Sequence, residues 1–495
     1  MSKILGIKYG GHDTSAALLI DGKIVAACAQ ERYSRDKHSR KFPKEAVNDC
    51  LKIGKIKIDE IDEIAFVNDV NKFIREIYLR PALENEERLN FLFEDIEKIS
   101  KIFNFKKIIR EQLGYKGKIK NYRHHLCHVA SAYYSSGFDD ALCLSVDGFG
   151  EHETGIIAAG KNGKIDILHD KNVYPHSLGL IYSSITNFLG WKHHCDEGII
   201  MGLAPFGNCE NVIPNTNKTY ISIFKEIILE KNDFNYEINP KYIDYYTKRD
   251  QWVTESFKEI FGKRRDYKDA ITQHHKDIAA ALQTRLEEVV LKQLEKAKKK
   301  FQFKKLCMSG GVALNCSLNG KIEQSKLFEE IFIVPASGDD GCAIGACYLA
   351  YKDMNKKFVF EKDLNFYKGS IFNDQEIETS IKNSGFKYQR PKNLSDFVSE
   401  LLEKGKIVAW FQGGAEFGPR ALGNRSIICK PFPESMRDHL NKRVKFREEF
   451  RPFAPSVLDK YQKDFFELNQ DSPHMLIASK VKKNKKNLIP AVVHI

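Results

Sequence analysis

At 495 residues the chain exceeds one ordinary domain and predicts about two to four of them; its 42% apolar and 29% charged residues fit a globular protein with a full core. The formal net charge of +12 is mild, and the lysine runs at Lys298–Lys300 and Lys482–Lys486 lack interleaved aromatics, which argues against a nucleic-acid-binding stripe. Eleven cysteines without a CxxC pair exclude a zinc ribbon or a thioredoxin-like site, and neither a leader nor an apolar run of about 18 residues is found, so a cytoplasmic, membrane-free protein is expected.

In chain order, Ile4 to Lys8 is a short β-type run followed by the polar break GGHDTS, and two further runs, Ala16 to Ile20 and Ile24 to Ala29, join across the hairpin turn Asp21-Gly22. The same grammar returns at 141: the run ALCLSV, the break DGFGEHET, the run GIIAA, a turn at Asn162-Gly163 and the run KIDIL. A duplicated α/β architecture is therefore expected. Residues 71 to 115 read as a charged, helical, peripheral insertion, and 210 to 270 as polar and irregular. Asp277 to Leu294 is predicted helical, with Ile278, Leu282, Leu286, Val289 and Val290 on one face. After it come a strand at Lys305 to Met308, a glycine loop, a helix, a strand at Ile331 to Val334, the loop PASGDDG and a small-residue helix from Gly345 to about Met354. Residues 354 to 375 read as a linker, and a second module begins near Asp374 with a helix over 395 to 404 and a strand at Ile407 to Phe411.

Several of these breaks carry chemistry. His124 and His128 form HxxxH, which puts both imidazoles on one helix face; the pair could ligate one ion or be two packed histidines. His125 stands where a zinc protease needs Glu, so that reading fails. Asp339, after a strand end, is the candidate third ligand, with Asp340 as its rival. The segment Met308 to Asn315 offers glycine N–H groups to a phosphate, or is simply a tight turn, and the absence of GxxxxGK[ST] excludes a P-loop. Asp147 could bind a cation or hold a hydroxyl, and His12 is the best candidate for a general base because imidazole titrates near neutrality. Arg420, Arg425, Lys445, Arg447 and Arg451 sit among Gly, Pro and aromatic punctuation and suggest a polyanionic ligand.

Ten strings in order, GGHDTSAALLIDG, ERYSRDKHSRKFP, HHLCHVASAYYSSGF, SVDGFGE, SLGLIYSSIT, MGLAPFG, SGGVALN, GDDGCAIGA, EFGPRALGNRS and FREEFRPFAPSVL, together resemble the carbamoyltransferases that tailor nodulation factors, cephalosporins and aminoglycosides. The resemblance implies an N-terminal ASKHA-type domain over 1–360, like the threonylcarbamoyl-adenosine transferases, and a C-terminal α+β YrdC-like domain over 375–495. It implies an O-carbamoyltransferase that makes carbamoyladenylate from carbamoyl phosphate and ATP with Mg, then moves the carbamoyl group onto a hydroxyl of a sugar-like or natural-product small molecule. By the same resemblance His124, His128 and Asp339 match metal ligands, iron ahead of zinc, and His12 matches the base. Lys37, Asp147, Gly311 and Asn315 match positions lining substrate or nucleotide, Arg420 and Arg451 match arginines that hold carbamoyl phosphate and ATP, and members of the family often form homodimers.

The chain departs from the family pattern at four points: Ile199 and Gly414 replace a Lys and an Arg, Lys430 replaces an Asp, and the chain stops at Ile495 where relatives continue. The last departure predicts a truncated C-terminal domain that ends mid-strand. Two other readings accompany the first: a threonylcarbamoyltransferase of tRNA, and a non-catalytic or activation-deficient homologue that binds nucleotide or carbamoyl phosphate.

Overall fold

A computed structural model describes residues 1–354 and 365–494. The first sheet holds β1 (Lys3–Lys8), β2 (Ser15–Ile20), β3 (Lys23–Ala29), β4 (Glu63–Val67) and β5 (Lys118–Tyr122), in the order β3-β2-β1-β4-β5. β1 pairs antiparallel with β2 and parallel with β4, which is parallel to β5. The second sheet holds β6 (Asp140–Val146), β7 (Glu153–Lys161), β8 (Lys164–Val173), β11 (Lys305–Ser309) and β12 (Glu330–Ile333), while β9 (Ile228–Glu230) and β10 (Tyr236–Ile238) form a hairpin apart from it. Read from β8 through β7, β6 and β11 to β12, the second sheet repeats the order and the directions of the first. The chain is thus a duplicated α/β structure of the ASKHA type. Both hairpins turn as the sequence requires: Asp21-Gly22 and Asn162-Gly163 have positive φ at both positions, which matches the twist of the flanking strands.

Each half sends its last helix to the other half's sheet. The His124–Ser135 helix, which follows β5, packs on β6, β7 and β11, and the Cys342–Asp353 helix, which follows β12, packs on β1, β2 and β4. The two helices meet along one buried seam with Cys127, Val129, Ala130, Ile344, Ala346 and Cys347. Small residues permit the approach: a Cβ on Gly345 would lie 1.8 Å from the Cys127 carbonyl oxygen. On the outer face of the second sheet, the helices Leu178–Phe188 and Gln273–Phe301 build the largest core.

The Gln273–Phe301 helix runs further at both ends than its apolar stripe predicts. Thr272 and His275 form a capping box at the start, and Lys298, Lys299 and Lys300 lie in the last turn, where cations favour the helix dipole. The Cys342–Asp353 helix likewise begins before Gly345, because the Asp339–Gly341 turn winds straight into it. The 71–115 region is helical as expected, from Val70–Ile74 to Phe105–Leu113, with a small core of Ile77, Tyr78 and Ile99.

The expected linker over 354 to 375 carries no helix or strand in its described residues 365–373, yet it is packed. Residues 355–364 lie outside the described part, but from Asn365 onward the segment is tied down: Lys368 O accepts from Ala27 N, and Phe366 is buried in the central core. Beyond it stand the helices Asp374–Ser384 and Leu394–Glu403 and the two-stranded ribbon β13 (Val408–Phe411) and β14 (Arg425–Ile428). This segment is docked on the duplicated body through buried Phe417, through Trp191 Nε1 donating to Glu448 Oε1 at 2.8 Å, and through Asn319 Nδ2 donating to Leu476 O at 2.8 Å. Nor do the last described residues form a strand: Pro490–Val492 is a single 3₁₀ turn, with Ala491 N bonded to Pro431 O. No helix among the described residues is long and apolar enough to cross a membrane.

Candidate metal and transfer site

The carboxyl ends of β1, β6 and β11, with the loop after β12, converge on one place, which is where open α/β sheets hold ligands. There the first turn of the His124–Ser135 helix brings His124 and His128 together, their Nε2 atoms 3.0 Å apart. Asp147, just past β6, places Oδ2 3.3 Å from His124 Nε2 and 3.2 Å from His128 Nε2. Asp339 places Oδ1 3.3 Å and 3.6 Å from the same two nitrogens. The four donor atoms all lie within 4.8 Å of one another, and Cys342 Sγ approaches the two imidazoles as closely.

Neighbouring groups hold this cluster in register. Arg123 gives the helix no side-chain cap, and the buried Glu151 from the β6–β7 loop takes that place, its Oε1 accepting from His124 N at 2.7 Å and from Asp69 N at 2.6 Å. Asp147 Oδ1 accepts from Gly311 N at 3.0 Å, which ties the ligand cluster to the glycine loop. Lys8, buried at the end of β1, reaches Asp339 Oδ2 at 3.0 Å. His125, although flanked by the pair, is committed elsewhere: its nitrogens meet Ser145 Oγ and Glu153 O, and burial and the neighbouring imidazoles push its pKa down to about 3.

Two carboxylates, the buried Asp339 and the half-buried Asp147, share the cluster with the two imidazoles and Lys8. Burial opposes ionisation at each group, yet Asp147 and Asp339 stay well below the carboxylate range because the imidazoles and Lys8 stabilise them. Burial would lower His124 too, but the Asp339 charge wins and raises it to about 10. Each imidazole also has a buried Nδ1 without a hydrogen-bond partner among the described residues. Two imidazole nitrogens and two carboxylate oxygens within 4.8 Å of one another are a donor set that fits a divalent transition metal.

The other residues singled out from the sequence fall in three places. His12 and Lys37 line a cavity of about 440 Å³. His12 Nδ1 lies 2.8 Å from Asp13 Oδ2, and Asp13 Oδ1 lies 2.8 Å from His38 Nδ1. Burial would lower the His12 pKa, but the bond to Asp13 outweighs it and the value is raised above 6.5. Arg451 sits beside Glu448 and, with Arg447 and Lys37, surrounds Lys445, whose pKa falls through burial first and these like charges second. Arg420 instead donates to Leu314 O at 3.3 Å, over the glycine loop. Asn315 is occupied structurally: it caps the Cys316–Ser325 helix and exchanges two amide hydrogen bonds with Gln283.

Asp340, the rival ligand, turns from the histidines and accepts from Gly341 N, and burial lifts its pKa to about 7. Ile199 belongs to the large core, and Gly414 has no room for a side chain, since a Cβ would lie 2.4 Å from Tyr367 O. Lys430 donates to Glu403 O and stands over the Phe432 ring. Sequence reasoning missed Lys8, Asp13, His38 and Glu151. Only the adjacency of Asp13 to His12 could have drawn attention to any of them.

Comparison with known proteins identifies the family. Residues 3–348 match the family model described as Carbamoyltransferase N-terminus, and residues 399–495 match Carbamoyltransferase C-terminus. The chain belongs to the carbamoyltransferase family. As a carbamoyltransferase it is 36% identical over 501 residues to an uncharacterized protein of Synechocystis, covering 97% of this chain and 80% of that one. It is 33% identical over 499 residues to Nodulation protein NolNO of Sinorhizobium fredii, covering 98% and 68%. Among solved structures, component A of the (R)-2-hydroxyglutaryl-CoA dehydratase of Acidaminococcus fermentans overlaps 72% of this chain at 17% identity and a TM-score of 0.37.

Proposed function

We propose that this carbamoyltransferase acts on oxygen: carbamoyl phosphate, one water and ATP with Mg give carbamoyladenylate, phosphate and pyrophosphate on the 375–495 segment, and the 1–360 body transfers the carbamoyl group to a hydroxyl of a sugar-like or natural-product small molecule. The observation that carries the reading is the ligand cluster of His124, His128, Asp147 and Asp339, set in the same lobe interface as a cavity lined by a carboxylate-oriented histidine. Asp13 fixes His12 through Nδ1, so Nε2 is the nitrogen left to take the proton of the acceptor hydroxyl. His124, His128, Asp147 and Asp339 would hold the metal, with iron ahead of zinc on the resemblance to the family's metal ligands. When bound, the ion supplies positive charge against phosphate oxygens. Lys8 holds Asp339 in place, and Gly311 N holds Asp147. Lys37, Arg420 and Arg451 supply cations to the donor phosphates. The hydroxyl oxygen bonds to the carbamoyl carbon, the bond from that carbon to the AMP oxygen breaks, and AMP leaves with the electron pair while His12 holds the hydroxyl proton.

The test is release of pyrophosphate from ATP by the purified, metal-loaded chain. Release that depends on carbamoyl phosphate supports both steps. No release, with supplied carbamoyladenylate still discharged in wild type and not in His12→Ala, would confine the activity to transfer. A second, activation-deficient reading is motivated by the sites of Ile199, Gly414 and Lys430, where core, backbone and a local hydrogen bond stand in place of the family's polar side chains. No release with retained discharge would favour it, and silence in both assays would favour a non-catalytic chain.

A further inference from the structure

The rim of the His12 cavity carries more positive charge than the donor chemistry uses. Beyond Lys37, it is lined by Arg40, Lys41 and Lys192, against one acidic residue, Asp36. All four cations are exposed, and none forms an ion pair among the described residues. Like charges around one concavity repel and cost stability unless something anionic enters it, and a concave wall focuses their field. The inner wall is formed: the His12 and His194 rings stack with centroids 6.0 Å apart, and Trp252 stands 5.4 Å from His194 and 4.4 Å from His193. At about 440 Å³ the cavity is of small-molecule size.

We propose that the acceptor of this enzyme carries an anionic group, a phosphate or a carboxylate, which Arg40, Lys41 and Lys192 hold at the cavity rim while its hydroxyl reaches His12. The inference rests on the transfer reading above for the role of His12, and it names the class of acceptor that reading leaves open. The arginine fork matches two anionic oxygens, and the lysines on either side add charge without fixing orientation. A polycationic acceptor would meet three unpaired cations before it met His12, so amino-rich sugars are disfavoured.

Calorimetric titration of the full chain with glucose 6-phosphate, glucuronate, glucose and glucosamine tests the inference. The two anionic sugars should bind, more weakly as salt is added, and the uncharged and cationic sugars should not. The triple variant Arg40→Ala, Lys41→Ala, Lys192→Ala should lose at least about tenfold in affinity for the anionic probes, and the charge-keeping variant Arg40→Lys, Lys41→Arg, Lys192→Arg should regain much of it. Tighter binding of glucose 6-phosphate than of glucuronate would mark a phosphate, and the reverse a carboxylate. Equal binding of glucose or glucosamine, no binding of either anionic sugar, or an unchanged affinity in a triple variant that unfolds at the wild-type temperature would overturn it. Pyrophosphate release by wild type is read separately: if it is absent while charge-dependent sugar binding persists, the donor chemistry fails and the acceptor class stands.

Discussion

At the scale of single residues, the site is governed by pairs that spacing does not announce. Lys8 and Asp339 are both buried and 3.0 Å apart. Removing the cation leaves the carboxylate uncompensated, so Lys8→Met should destabilise the metal-stripped protein by about 3 kcal/mol in urea titrations, and by less once a divalent ion is added. The Asp13–His12 pair sets a pH dependence. Because the His12 pKa lies above 6.5 and the base must be unprotonated, transfer should rise with pH along a limb centred above 6.5. Asp13→Asn should move that limb back toward 6.5 while lowering its plateau, read from kcat/KM against pH. The stability signs are opposite for the two partners. Asp13, held near 2 against an ordinary 3.8, contributes stability that is present above pH 3.8 and lost as the pH falls toward 2. His12, raised, contributes stability that is full below 6.5 and lost as the pH climbs through its folded value. The i, i+4 spacing of His124 and His128 was readable because one helix turn enforces it; Lys8 was not, because a lysine closing a strand reads as an ordinary solvated residue.

At the scale of elements, the seam between the His124–Ser135 and Cys342–Asp353 helices matters most, since one carries two metal-type ligands and the other starts beside Asp339. Gly345→Val would drive a side chain into the Cys127 carbonyl, and overpacking of this kind costs about 1–3 kcal/mol or more. The expected outcome is a lower midpoint of thermal unfolding together with reduced metal content after reconstitution, because the two ligand-bearing ends separate. The small-residue run GDDGCAIGA made a helix legible, but its partner was not. The same limit applied to Asp147 and Asp340. A polar loop after a strand presents several carboxylates, and only the path of the following helix settles that Asp339 faces the imidazoles while Asp340 caps its own turn.

At the scale of the whole molecule, the C-terminal segment is part of the core. Phe417 is buried among residues of the central seam, and Phe366 joins it. Phe417→Ala should therefore cost about 3–5 kcal/mol and shift a single cooperative transition, as seen by far-ultraviolet circular dichroism and tryptophan fluorescence together; two separate transitions would contradict this packing. The duplicated architecture was open to reading in the sequence, because Asp21-Gly22 and Asn162-Gly163 turns between apolar runs are local signals that backbone sterics make nearly compulsory. By itself the sequence determined the two hairpins, the long amphipathic helix and the helical histidine pair, all products of interactions within a few residues. Tertiary structure alone decided that Asp147 joins Asp339 against those histidines, that Lys8 pairs with Asp339 and Gly311 with Asp147, and that Arg420 lies over the glycine loop while Arg451 lies beside Glu448. The reason is physical: those groups stand at the ends of strands whose order in the sheets is set by long-range pairing and buried area, and neither is encoded in any short stretch of chain.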